Sequence, residues 1–97
     1  MKTFTESEIT GYMAQNLKEW KLEGNAIKRE FKFKNFVDAF SFMTAIALEA
    51  EKVDHHPDWS NSYNKVSIAL STHSEKGVTQ RDYDMAGVAD AQFKRFE

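Results

Sequence analysis

Apolar residues recur along the chain with two periods, and the switches between them mark out the elements. Ile9, Tyr12, Met13 and Leu17 return every three to four positions behind Thr5 and Glu8, which have capping-box spacing, so an amphipathic helix is predicted over residues 5–17. From Trp20-Lys21-Leu22 through Gly24-Asn25 into Ile27, Arg29, Phe31 and Phe33 the period falls to two, the pattern of a hairpin turning near residues 23–25. Asn35 is an N-cap for a long helix over residues 35–52. Its core face is expected to carry Phe36, Phe40, Met43, Ala47 and Ala50, widened by Ala39, Phe42 and Ile46.

Residues 59–72 hold a second hairpin, with Tyr63-Asn64-Lys65-Val66 as its tight turn. A two-residue loop at Asn64-Lys65 sets Tyr63 opposite Val66, Asn61 opposite Ile68 and Trp59 opposite Leu70 on one face. Ser62, Ser60 and Asp58 then oppose Ser67, Ala69 and Ser71 on the other. One greasy and one polar face mean an antiparallel sheet covered by helices on a single side. Thr79, with Asp82 three residues on, opens a last helix bearing Met85, Val88, Ala89, Phe93 and Phe96. The predicted order is α-β-β-α-β-β-α: an α+β fold with a single four-stranded antiparallel sheet and three helices packed on one face, in one domain over residues 1–97.

Composition narrows the function classes. The 97 residues include eight Phe, two Trp and three Tyr, enough apolar mass for a core, and no cysteine. That excludes a disulfide scaffold, an iron–sulfur site and a catalytic thiol, and nothing needs an oxidising compartment. Thirteen Lys and Arg against 15 Asp and Glu leave a charge of −2, which argues against direct nucleic-acid binding by phosphate neutralisation. No stretch approaches the ~20 apolar residues of a membrane span. The expectation is a soluble cytoplasmic protein with no membrane partner.

Chemistry concentrates in the three histidines, His55, His56 and His73. Extending the hairpin register sets His56 opposite His73, and opposed residues have Cβ atoms ~4.5–5.5 Å apart. His55 comes off the end of the long helix, where a bend allows adjacent side chains to converge, and Pro57 holds His56 extended. Neighbouring histidines chelate poorly, and the i,i+2 or i,i+4 spacing of zinc ligands is missing, so no metal is expected. The serines have no nucleophile-elbow context and the four glycines form no phosphate loop. What remains is proton transfer by histidine. Structural explanations stand beside this one. His55 complements a helix dipole, Asp82 fits the N3 position of a capping box, and Trp20 suits a core or edge strand. Glu51 and Asp54 are acids at the unfavourable end of a helix, which invites another explanation.

The run Glu51-Lys52-Val53-Asp54-His55-His56-Pro57-Asp58-Trp59, continued by Tyr63-Asn64-Lys65-Val66, Leu70-Ser71-Thr72-His73 and Arg81-Asp82, closely resembles the pterin-4a-carbinolamine dehydratases. Trp20, Leu22-Glu23-Gly24, Ala26-Ile27, Phe31 and Phe33 extend the resemblance to about residues 18–90, with a small deletion around Lys21 and Asn25. The resemblance implies the same sheet-and-three-helix fold, homodimers or homotetramers, and dehydration of 4a-hydroxytetrahydropterin to quinonoid dihydropterin, which recycles the cofactor of aromatic amino acid hydroxylases. It implies no cofactor, the pterin being the substrate. His55 and His73 are then the acid and base in either order, and His56 holds the pterin and assists proton transfer. Glu51, Asp54 and Asp82 supply unlike environments, Pro57 shapes the motif, Ser71 and Thr72 hydrogen-bond the ring, and Trp20 flanks it. Mammalian members also act as dimerisation cofactors of a homeodomain transcription factor, so a non-catalytic interaction module is the alternative.

Overall fold

The computed structural model describes residues 2–97. In chain order it has α1 (Glu6–Asn16), β1 (Lys21–Glu23), β2 (Ala26–Lys32), α2 (Phe36–Val53), β3 (Asp58–Ser62), β4 (Lys65–Leu70) and α3 (Gln80–Phe93). The strands form one antiparallel sheet in the order β1-β2-β4-β3, so β1 and β3 are its edges. Ile27 and Phe31 of β2 and Val66, Ile68 and Leu70 of β4 face one core with Ile9 and Met13 of α1, Phe42 and Ile46 of α2, and Met85 and Ala86 of α3. The alternate residues Lys28, Glu30, Ser60 and Ser67 are exposed on the uncovered face. This is the α+β arrangement that the periodicities specify.

Each helix start is capped as its sequence dictates. Thr5 and Glu8 exchange reciprocal bonds at α1, Asn35 accepts from the Asp38 N–H at α2, and Thr79 and Asp82 form a second capping box at α3. The first hairpin turns at Gly24-Asn25, where Gly24 takes a φ of +61° that a side chain would resist.

Two details differ from expectation. β3 pairs with β4 as Asp58↔Ala69, Trp59↔Ile68, Ser60↔Ser67, Asn61↔Val66 and Ser62↔Lys65, so the loop is Tyr63-Asn64. The cause is Asn64. Its side-chain amide donates to Phe33 O at 2.9 Å and its carbonyl accepts from Phe33 N–H at 2.8 Å, anchoring it to the end of β2 and leaving Tyr63 at a φ of 49°. The slip is two residues, so every side chain keeps its face, but His56 and His73 are not cross-strand partners. Beyond Leu70 the chain leaves the ladder: Thr72 bridges Gly77, and residues His73–Glu75 form a 3₁₀ turn.

The second difference concerns α2, which buries Ala39, Phe42, Ile46 and Ala50 and leaves Phe36 and Phe40 exposed with Val37 and Leu48. Apolar residues occupy two sides of this helix. The side that faces the sheet is the one where alanines permit close approach around Phe42.

Candidate active site

A depression of about 300 Å³ opens where the C-terminal end of α2, the start of β3, the end of β4 and the start of α3 meet. Asp54, His55, His56, Pro57, Asp58, Ser71, Thr72, His73, Ser74 and Arg81 line it. Of the residues proposed from sequence, all three histidines are brought together here with Asp54, Pro57, Ser71 and Thr72.

Each histidine has its own carboxylate. His55 is 7% exposed, and its Nε2 lies 2.6 Å from Asp82 Oδ1. Asp82 is fully buried at the first turn of α3, and its Oδ2 accepts from Thr72 Oγ1 at 2.9 Å and from the Thr79 N–H at 2.8 Å. The hydroxyl chain has one consistent direction. Thr79 Oγ1 accepts from the Arg81 N–H and lies 2.7 Å from Thr72 Oγ1, and Thr72 has one proton, given to Asp82. Thr79 therefore donates to Thr72. With Oδ2 accepting twice, Asp82 Oδ1 accepts from the His55 Nε2–H, which makes Nδ1 the acceptor nitrogen of that tautomer.

The other two pairs are at the surface. His56 Nε2 is 2.9 Å from Glu51 Oε1, and His73 Nε2 is 3.1 Å from Asp58 Oδ2. So His55 turns inward and His56 outward, although they are adjacent, and His73 approaches from the 3₁₀ turn instead of from a strand. Glu51 and Asp82 thus account for two of the acids singled out in the sequence. Asp54 takes a left-handed φ of 52° as the cap of α2.

Trp20 is elsewhere. It is 3% exposed, its Nε1–H donates to Asp90 Oδ1 at 2.9 Å, and Arg29 Nη1 donates to the same oxygen at 2.7 Å. It does not line the histidine cavity. Three lining residues, Asp58, Ser74 and Arg81, were given no role from sequence. Asp58 sits on the polar face one position after Pro57, and that alternation was the signal for it. Arg81, part of the matching Arg81-Asp82 pair, donates through Nη2 to Val53 O at 2.9 Å and to Asp54 O at 2.6 Å. Nothing local in the sequence points to those carbonyls.

A small α+β protein with three histidine–carboxylate pairs around one open depression carries the groups that histidine proton transfer needs. The family model described as pterin 4 alpha carbinolamine dehydratase matches residues 2–92, and the chain belongs to that family. A protein of Prochlorococcus marinus (strain NATL2A) named "Putative pterin-4-alpha-carbinolamine dehydratase" is 45% identical over 85 residues, covering 88% of each chain. One of the same name from Brucella ovis is 54% identical over 84 residues, covering 84% of this chain and 86% of the relative. The crystal structure of a transcriptional coactivator/pterin dehydratase from Brucella melitensis superposes with a TM-score of 0.88 at 47% identity, over 94% of this chain and 98% of that one. A pterin dehydratase-like protein described as a RuBisCO assembly factor in the alpha-carboxysome shares the fold, with a TM-score of 0.64 at 19% identity over 76% of this chain and 86% of that one. No helix among the described residues is long and apolar enough to cross a membrane.

Proposed function

We propose that this protein dehydrates 4a-hydroxytetrahydropterin to quinonoid dihydropterin by histidine general acid–base catalysis, recycling the pterin of aromatic amino acid hydroxylases. The observation that carries this is the set of three rings around one cavity, each with Nε2 bonded to a carboxylate that orients it. The reaction is an elimination from a hemiaminal. The N5 lone pair forms the C4a=N5 double bond, the C4a–O bond breaks, the N5 proton goes to a base, and an acid protonates the departing hydroxyl to water. Atoms and electrons balance without a redox partner. His55 suits the base: Asp82 holds its ring and stabilises the imidazolium formed when Nδ1 takes the proton. His73, exposed beside Asp58, suits the acid, and His56 holds the pterin. With their Nε2 atoms on separate carboxylates, the rings do not converge on one point, and no group of three metal-ligating side chains occurs among the described residues. That favours proton transfer without a bound metal.

The unpartnered apolar side of α2 favours a further statement, that the protein works as a homo-oligomer. The same surface favours the second reading, a non-catalytic interaction module like the coactivator role in the name of the Brucella melitensis structure. A rate assay decides between them. Carbinolamine generated in situ should be consumed faster with the protein than without, before and after dialysis against a strong chelator. His73→Ala should lower kcat ~10²–10⁴-fold with the fold intact by circular dichroism. No acceleration by the purified protein overturns the enzyme reading, and a loss on chelation restored by zinc overturns the metal-free one.

A further inference from the structure

α2 ends in a turn that needs outside support. The Asp54 N–H donates to Glu51 O and the His55 N–H to Ala50 O, the two bonds of a Schellman motif, and Asp54 takes the left-handed position. Glycine or asparagine usually stands there, because a Cβ crowds the backbone. A non-glycine residue held left-handed beside functional groups is strain that the surroundings must maintain. The turn also has a defined task. It sends the His55 ring inward to Asp82 and the His56 ring outward to Glu51, so two adjacent histidines reach separate carboxylates.

The Schellman bonds leave the carbonyls of Val53 and Asp54 unclaimed, and both accept from Arg81 Nη2, whose two hydrogens serve one oxygen each. Arg81 and Asp82 are consecutive at the start of α3. One grips the backbone before His55 and the next grips its ring, so a single rigid helix start sets both ends of that histidine. We infer that Arg81 is a positioning residue: by holding the left-handed Asp54 turn it fixes where His55 and His56 present their nitrogens. The inference rests on the dehydratase reading for what the histidines do, and not for how they are held. The competing role is direct contact with substrate, since Arg81 also lines the cavity.

Proton NMR of the substrate-free protein separates the two roles. The His55 Nε2–H, held at 2.6 Å from Asp82, gives a downfield resonance that reports the ring's placement. In Arg81→Gln this resonance should move upfield or broaden. kcat should fall ~10–10²-fold, the cost of a displaced catalytic group, with KM within about twofold. Added guanidinium should restore part of both. An unmoved resonance, with KM raised and kcat retained, makes Arg81 a substrate contact and overturns the inference. If Arg81→Gln does not fold, the measurement passes to Arg81→Lys. An intermediate shift there supports positioning, and a wild-type resonance and kcat overturn it. Should the wild-type protein prove inactive, the resonance alone decides, so failure of the dehydratase reading stays distinct from failure of this one.

Discussion

Asp82 shows how much one residue carries in so small a chain. Its Oδ2 completes the cap of α3 with the Thr79 N–H, and its Oδ1 holds His55, 27 positions earlier. The first duty is readable from the Thr79–Asp82 spacing alone, whereas the second requires the end of α2 to lie against the start of α3, which no local pattern encodes. Tyr83, the next residue, supplies a test at the same scale. Its ring is stacked between Phe4 at 4.7 Å and Tyr12 at 3.9 Å, and its Oη is the one buried side-chain polar atom without a hydrogen-bond partner among the described residues. A lone buried hydroxyl is a liability, so Tyr83→Phe should keep or raise stability, by up to about 1 kcal/mol in urea unfolding. Burial, and then the Glu8 carboxylate, push the Tyr83 phenol above its ordinary 10.0. The stabilisation tied to the neutral phenol is therefore full below pH 10 and fades as pH rises above it, and the advantage of Tyr83→Phe should widen there. A variant that is less stable than wild type at neutral pH, or a gap indifferent to alkaline pH, would contradict this account.

At the scale of elements, capping and period were legible and register was not. Thr5–Glu8 and Thr79–Asp82 mark the starts of α1 and α3 because a cap is a bond between residues three apart. The Tyr63-Asn64 loop was missed because the bonds that choose it run between Asn64 and Phe33, just past the end of β2. The α2 face was misread because Phe36 and Phe40 are as apolar as Phe42, and periodicity alone does not say which side meets a sheet. The α1 cap can be probed by pH. The Thr5 N–H, joined by the Thr5 hydroxyl, favours the Glu8 carboxylate and holds its pKa below the ordinary 4.5. A depressed acid contributes stability that is present above the unfolded value and is lost as pH falls through the folded one. Glu8→Gln keeps an acceptor but does not titrate. Wild type should therefore melt higher than Glu8→Gln near pH 6, with the difference shrinking as pH drops below about 4.5, when Tm is followed by circular dichroism. A difference constant from pH 6 to pH 3 would show that the charge of Glu8 adds nothing to the cap.

For the whole molecule, the question is what meets the outer side of α2. Phe36, Val37, Phe40 and Leu48 expose between 45% and 68% of their surface on one helix. At 100° per residue they lie together, away from the Ala39–Phe42–Ile46 side that packs on the sheet. An exposed apolar stripe of this size marks a surface that meets a partner, and a second copy presenting the same stripe gives a self-complementary two-fold interface. The β3 edge is a weaker candidate for the primary contact: it is five residues long, follows Pro57, and offers Asp58, Ser60 and Ser62 on its open face. Static light scattering at micromolar concentration should accordingly give a multiple of 11.2 kDa. The pair Phe40→Lys and Leu48→Lys should lower that mass without loss of helix signal, since neither residue is in the core. If the double variant keeps the wild-type mass, the contact lies at the β3 edge or elsewhere. A wild-type mass of one chain at every concentration would mean that the stripe does not join copies of this chain, and the homo-oligomer would have to be given up.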